Sequence, residues 1–202
     1  MMDNTQYDKK FTNRNRIIVP NGWIWITVPI KKEQKLFPNR LVEINNELDW
    51  RVIHWEKIHR SYTNAEFFHL YKEYFESLFK KEWNFLFELN FETLRQIIDW
   101  LGLKIEIIKE SDLNIDSAST ERLINICKAV GADTYVSGIG GKNYIDEKSF
   151  SKNKVNLEYQ EFVHPKYSQH FSDSFIPDLS IIDLLVNVGP KSLSLLKGEK
   201  LE

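Results

Sequence analysis

The chain has 202 residues, 42% of them hydrophobic and 13% aromatic, enough to bury a real core in a single domain. A formal net charge of −2 argues against a general nucleic-acid or membrane-surface binder, and the single cysteine, Cys127, excludes a disulfide framework and a cysteine-type zinc site. No apolar run approaches the roughly 20 residues of a membrane span, and the chain opens too polar for a secretory signal, so the expectation is a soluble cytoplasmic protein with no nucleic-acid partner.

Arg16–Val19 and Trp23–Val28 flank Asn21-Gly22, the strongest short hairpin signal. The second of these strands is apolar on both faces, which predicts cover on both. The 31–35 segment reads as a solvated loop, and 42–44 as a short edge strand. Trp50–Arg60 has helical spacing. From Asn64 to Leu89 the residues Phe67, Tyr71, Tyr74 and Leu78 recur at three or four positions, joined by Phe68, Phe75 and Phe79, which predicts one amphipathic helix with a wide aromatic face. A third helix is expected after Asn90, a good N-cap, ending before Gly102.

The following stretch is βαβ-like. Leu103–Ile108 reads as a strand, Thr120–Val130 as a helix with Leu123, Ile126, Cys127 and Val130 on one face, and Asp133–Val136 as the returning parallel strand. That arrangement sets Ser111 and Ser117 near Ser137, beside the positive N-terminus of the helix. Val155–Tyr159 is a further candidate strand and Leu179–Val188 a short helix closed by Gly189-Pro190. Residues 191–202 read as peripheral, with Leu201-Glu202 read as a remnant of cloning.

The chemistry concentrates in Ser137-Gly138-Ile139-Gly140-Gly141. Side-chain-free residues let backbone amides converge on an anion, and the loop lies where open α/β sheets bind ligands, at the carboxyl end of a strand. It is either a cradle for phosphate or carboxylate, with Lys142 and Tyr144 touching the same ligand, or a tight turn. It matches neither the P-loop nor the dinucleotide fingerprint. Asn13-Arg14-Asn15-Arg16 offers two guanidinium groups of the kind that bind phosphate through paired hydrogen bonds; the plain alternative is a solvated strand entry.

The five histidines show no His-x-x-x-His zinc spacing, so no metal is implied. His164 and His170 share a loop with Tyr167 and Gln169, which leaves room for a general base, against structural roles for each. Cys127 on an apolar face reads as an inert buried thiol. The 67–79 stripe reads as core. Ser180 and Asp183 are spaced as a capping box, and Asn187 one turn later puts two polar groups on an otherwise apolar helix, where buried polar groups need partners.

These residues resemble a known family. His164-Pro-x-Tyr167-x-Gln169, then Phe175-x-Pro177-x-Leu-Ser-Ile-Ile-Asp-Leu-Leu185-x-Asn187-x-Gly189, is similar to the WbqC-like family. So are Glu121–Lys128 followed by Gly131-Ala-Asp-x-Tyr-x-Ser-Gly-x-Gly-Gly141, and the opening Asp3-x-x-Gln6-Tyr7, Asn13–Arg16 and Trp25-x-Thr27-x-Pro29. Members usually open with a further strand and helix, and this chain starts after that piece, so the resemblance implies that part of a phosphate-binding element is missing. It also implies enzymes of surface-polysaccharide and O-antigen sugar biosynthesis that modify an activated sugar or attach an acyl or aminoacyl group. The matching positions are Gln6, Asn13, Arg14, Asn15, Arg16, Ser137, Gly138, Gly140, Gly141, Tyr144, Tyr167, Gln169, Asp183 and Asn187.

The expectation is therefore a single α/β domain over 1–202: a mostly parallel sheet with an added β-hairpin and a helical insertion over about 50–101. Its substrate is a nucleotide-linked or phosphorylated sugar. Arg14, Arg16 and the 137–141 loop hold phosphate, while His164, Tyr167, Gln169 and Asp183 act on the acceptor. The cofactor is not specified by the residues; an aminoacyl or adenylating variant would use ATP or an activated acyl donor. The alternative is a non-catalytic protein whose aromatic helix docks on another enzyme of the same pathway, and an exposed Phe67, Tyr71, Tyr74 and Phe75 face would favour it.

Overall fold

Pro20 and Asn21 close a two-residue turn between β1 (Arg14–Val19) and β2 (Gly22–Thr27), which pair antiparallel with Val19 opposite Gly22 and Arg14 opposite Thr27. Gly22 carries φ +127°, a conformation that side chains strongly disfavour, so the predicted turn signal acts one residue later than its usual position. The computed structural model describes residues 1–9, 11–34 and 36–199. Lys10, Lys35 and 200–202 lie outside the described residues, and with them the reading of Leu201-Glu202.

The chain divides into two compact units, one of residues 1–4 and 106–163, the other of 5–105 and 164–202. In the larger unit the hairpin packs with α1 (Trp50–Tyr62), α2 (Phe68–Lys80), α3 (Leu86–Trp100) and α6 (Ile181–Val188); α7 (Ser192–Leu196) completes it. Ile17, Ile18, Tyr62, Leu86, Leu185 and Val186 are among its fully enclosed side chains. Gly189 ends α6 at φ +63°, and a Cβ there would meet the Phe67 ring at 2.4 Å, so both its conformation and its neighbour demand glycine.

The expected long helix from Asn64 to Leu89 is two helices. The reason lies outside the segment. Ile44 N–H donates to the Asn84 carbonyl at 2.8 Å and Leu86 N–H to the Val42 carbonyl at 2.9 Å, so residues 84–86 pair with the 42–44 segment and leave the helical path. Trp83 fills the break: its ring is buried and its Nε1–H donates to the Leu78 carbonyl at 2.9 Å, satisfying an orphan acceptor at the end of α2. Asn90 consequently lies inside α3 rather than capping it, and its side-chain amide donates to the Thr12 carbonyl at 2.8 Å. The 42–44 edge strand exists only as isolated bridges, Ile30 with Ile44 and Glu43 with Phe85.

In the smaller unit α4 (Ser119–Ala129) and α5 (Glu147–Lys152) cover a parallel pair, β3 (Thr134–Ser137) and β4 (Asn156–Tyr159), through Leu123, Ile124, Cys127, Ile145, Phe150 and Val155. The parallel pairing is real but its partner is not Leu103–Ile108, which forms no strand. Leu103 N–H closes the end of α3 on the Ile98 carbonyl at 3.0 Å. Further on, the Ile108 carbonyl accepts from the Met1 amino group and Glu110 N–H donates to the Met1 carbonyl at 3.0 Å. The fold is thus mixed α/β with two small sheets, one antiparallel and one parallel. Among the described residues no helix is long and apolar enough to cross a membrane.

His54 on α1 ties the helix to the hairpin by donating from Nε2 to the Thr27 carbonyl at 3.1 Å. Burial holds its imidazole neutral, lowering its pKa from 6.5 to about 4. The unfolded chain therefore binds a proton between those two values that the folded chain refuses. Stability falls as pH drops through that window, by on the order of 3 kcal/mol at full extent. Urea titrations from pH 7.5 to 4 are expected to show this loss, and His54→Phe to flatten it.

Candidate functional site

In the smaller unit, β3 delivers the glycine loop. Ser137 is buried, donates from Oγ to the Gly138 carbonyl at 3.0 Å, and accepts from Gln160 N–H at 2.7 Å through its own carbonyl. Its hydroxyl is therefore used inside the loop. Gly141 is required by packing: a Cβ would lie 2.1 Å from Ser137 Oγ and 2.9 Å from Ile145 Cδ1. Gly138 and Gly140 are different. Both are exposed, a Cβ on either meets nothing within 4 Å, and neither has a positive φ. The amides of Ile139 and Gly140 open a short 3-10 turn, Ile139–Asn143, where the first N–H groups have no acceptor within the turn. Lys142 places its ammonium 5.0 Å from the Tyr159 ring centre, and Tyr144 is 69% exposed beside them.

The same unit uses its serines for scaffolding. Ser111 donates from both N–H and Oγ to the buried Asp3 carboxylate, at 2.9 and 2.6 Å. Burial works to raise the Asp3 pKa, but these bonds outweigh it and leave the carboxyl below its usual range. Ser117 accepts from Asn125 at 3.1 Å, and Arg122 pairs with the buried Glu110. The Asp3–Ser111 tie was not legible in the local sequence, because its partners are 108 residues apart.

In the larger unit the Asn13–Arg16 segment enters β1. Arg14 lies 4.4 Å over the Trp25 ring; Arg16 lies 4.8 Å over Trp23, pairs with Asp178 at 3.2 Å and donates to the Asp178 carbonyl at 3.0 Å. Arg16 is thus anchored to the loop before α6, while Arg14 is exposed. Asn13 donates to the Val28 carbonyl at 2.9 Å, and Asn15 accepts from Arg16 N–H at 2.8 Å. Asn13, Arg14 and Asn15 border a cavity of about 210 Å³ that runs among α1, α2, α3 and the start of α6. Gln6, in the same unit, forms an isolated bridge with Pro38 and is exposed, whereas its neighbour Tyr7 is buried.

The His164–Asn187 motif forms a buried hydrogen-bonded set around α6. Asp183 is fully enclosed, and its Oδ2 accepts from Tyr167 OH at 3.0 Å and from Gln169 Nε2 at 2.9 Å. Gln169 also binds both backbone groups of Ile176, at 2.9 and 2.7 Å. Asn187 donates to the Asp183 carbonyl at 2.7 Å and accepts from His170 N–H at 3.1 Å. These four side chains pin the 167–176 loop to α6. The capping box is only half formed, since Ser180 Oγ accepts from Ile182 N–H at 3.4 Å while the Asp183 side chain turns inward.

Burial raises the Asp183 pKa, and the bonds from Gln169, Tyr167 and Tyr62 offset part of that rise. Burial and the adjacent Asp183 charge push the Tyr167 hydroxyl well above its ordinary range, so it holds its proton and acts as a donor. Asp183 Oδ1 is a buried acceptor with no hydrogen-bond donor among the described residues. His164 borders the set, its Nδ1 3.0 Å from the Pro165 carbonyl and its ring 5.2 Å from Phe175.

The chain belongs to the WbqC-like protein family, whose sequence profile matches residues 1–195. It is similar to the uncharacterized protein Rv1507c of Mycobacterium tuberculosis, with 29% identity over 192 residues that cover 94% of this chain and 83% of that protein. No solved structure matches the chain.

Two stability contrasts follow from this geometry. Gly141→Ala is expected to cost about 1–3 kcal/mol by forcing Ser137 aside, whereas Gly140→Ala, with open space at Cβ, is expected to leave the denaturation midpoint unchanged or slightly raised. Gln169→Ala removes three hydrogen bonds, one of them to a buried carboxylate, and should cost about 2–4 kcal/mol in urea unfolding. A Gln169→Ala midpoint equal to wild type would remove the pinning role.

Proposed function

We propose that this protein is an enzyme of surface-polysaccharide or O-antigen sugar biosynthesis that acts on a nucleotide-linked or phosphorylated sugar, by acyl or aminoacyl transfer. The observation that carries the reading is the pair Gly138 and Gly140. The fold itself gives no reason for either glycine, since neither is crowded nor in a left-handed conformation. A bound anion gives one, because a side chain there would hold phosphate away from the Ile139 and Gly140 amides. Lys142 would add a positive charge at the loop, and Arg14 a second cation in the larger unit. His164 is the residue we assign to proton transfer with the acceptor. Tyr167, Gln169, Asp183 and Asn187 would act as positioning residues for the loop that carries it, and Tyr144 would cover the phosphate site. Membership of the WbqC-like family and the motifs it shares support the same reading.

The second reading, a protein that docks on a pathway enzyme through its aromatic helix, lacks the exposed face it calls for. Tyr71 and Phe75 are 5% and 4% exposed, and Phe67 and Tyr74 are partly buried in the same core.

A panel of nucleotides and nucleotide sugars in a thermal-shift experiment tests the first reading. At a hundredfold excess over Kd, the cognate ligand is expected to raise Tm by roughly 5–10 °C. Gly140→Val should keep the unliganded Tm and lose the shift. A panel without any shift, or a Gly140→Val protein that retains it, overturns the assignment of the loop.

A further inference from the structure

The cavity of about 210 Å³ in the larger unit is lined mostly by apolar side chains, among them Ile58, Phe75, Leu78, Leu89, Ile97 and Trp100. An apolar cavity of roughly 150 Å³ accepts benzene, so this one has room for a chain or ring of about eight heavy atoms. Two features separate it from a packing void. Its exposed lining residues, Phe11 and Arg14, mark an opening, and Arg14 is the only charged lining residue among those described. Inside, His54 is 5% exposed and lines the cavity. Since the Thr27 carbonyl can only accept, the hydrogen bond at 3.1 Å puts the imidazole proton on Nε2. Nδ1 is then a bare acceptor, and among the described residues no donor is bonded to it. It is not among the fully enclosed unpaired atoms, so it keeps some accessible surface, and a guest that supplies a donor would pair with it.

We propose that this cavity binds the apolar acyl part of a small anionic ligand, with the anion held at the mouth by Arg14 and a hydroxyl or N–H on the acyl group received by His54 Nδ1. The walls exclude charge, which confines the anion to the Arg14 end. The volume of about 210 Å³ limits the enclosed part of the chain to about eight carbons. Asn13 and Asn15 also line the cavity, with Asn13 held by its bond to the Val28 carbonyl and Asn15 by its bond from Arg16 N–H. This deepens the acyl-transfer reading and rests on it only for the fate of the acyl group. The binding itself is a separate claim.

Calorimetric titration of the full chain with butanoate, hexanoate, octanoate and dodecanoate tests the cavity. Affinity is expected to rise about fourfold per methylene up to octanoate and to gain nothing at dodecanoate. Octan-1-ol should bind about tenfold more weakly than octanoate, and Arg14→Gln should erase that difference. Either 3-hydroxyoctanoate or 8-hydroxyoctanoate should bind several-fold more tightly than octanoate, with the gain lost in His54→Phe while octanoate binding persists. Ile97→Trp fills the space and should abolish binding; Thr93→Leu, a milder filling change on the same wall, guards against a misfolded variant. Absence of octanoate binding, a length series without a limit, or full affinity in both filled variants overturns the proposal and leaves a hydrated void. If neither hydroxylated chain gains over octanoate, the role of His54 falls. A nucleotide sugar that still raises Tm in a protein that ignores octanoate sinks this inference alone.

Discussion

The backbone pairing of Val42–Ile44 with Asn84–Leu86 is the constraint on which the larger unit depends. Two hydrogen bonds of 2.8 and 2.9 Å pull residues 84–86 off the helical path. That ends α2 at Lys80, starts α3 at Leu86, and lets the two helices pack with the aromatic residues of both turned inward: Trp100 meets Tyr71, Tyr74 and Phe75 at 4.8, 4.9 and 5.6 Å between ring centres. A continuous helix from 64 to 89 would carry Leu89 and Ile97 away from Phe75 and Leu78, and the cavity that all four line would not exist. The break is therefore part of the architecture of the cavity as well as of the core.

Much of this was legible in the sequence because it is local. The Asn21-Gly22 turn, the amphipathic run around Phe68–Leu78, the helix near 120–130 and the strand leading to Ser137 are written within single segments, and each forms. What the sequence conceals is what depends on distant partners. Nothing local to Lys81–Phe85 announces a helix break, since it is Val42 and Ile44 that impose it. Leu103–Ile108 has the β-branched, alternating look of a strand, yet β3 pairs with 156–159 instead. Propensity is a weak prior wherever a competing pairing is available elsewhere in the chain. Asp183 shows the same division. Spacing from Ser180 suggests a cap, of which only Ser180 plays its part, whereas the expectation that a buried polar group on this helix needs partners is met by Tyr167 and Gln169, sixteen and fourteen residues back, whose identity no local pattern gives.

The motif residues of the last forty positions divide by physics rather than by proximity in sequence. Gln169 is saturated: each of its amide atoms is committed to Ile176 or Asp183. Such a residue can orient a site but has no donor to spare for a substrate without giving up a bond already made. Asp183 is the member with capacity in reserve, because Oδ1 is enclosed and unpaired. A buried carboxylate in that condition is stabilised by its donors on one oxygen and destabilised by desolvation on the other, which is why burial wins and its pKa rises. The set therefore favours rigidity in the loop and tension at one atom.

The two regions singled out for ligands have opposite physical characters. The glycine loop after β3 offers unfilled amides, an ammonium and exposure, conditions that favour a hydrated, multiply charged group whose desolvation would be expensive. The cavity beside Asn13–Asn15 offers mostly apolar walls, a few neutral polar side chains with His54 among them, and a single guanidinium among its described lining residues, conditions that disfavour such a group and favour a short apolar chain. Neither region suits the other's guest. Both regions lie within residues 1–195, the span that matches the WbqC-like family.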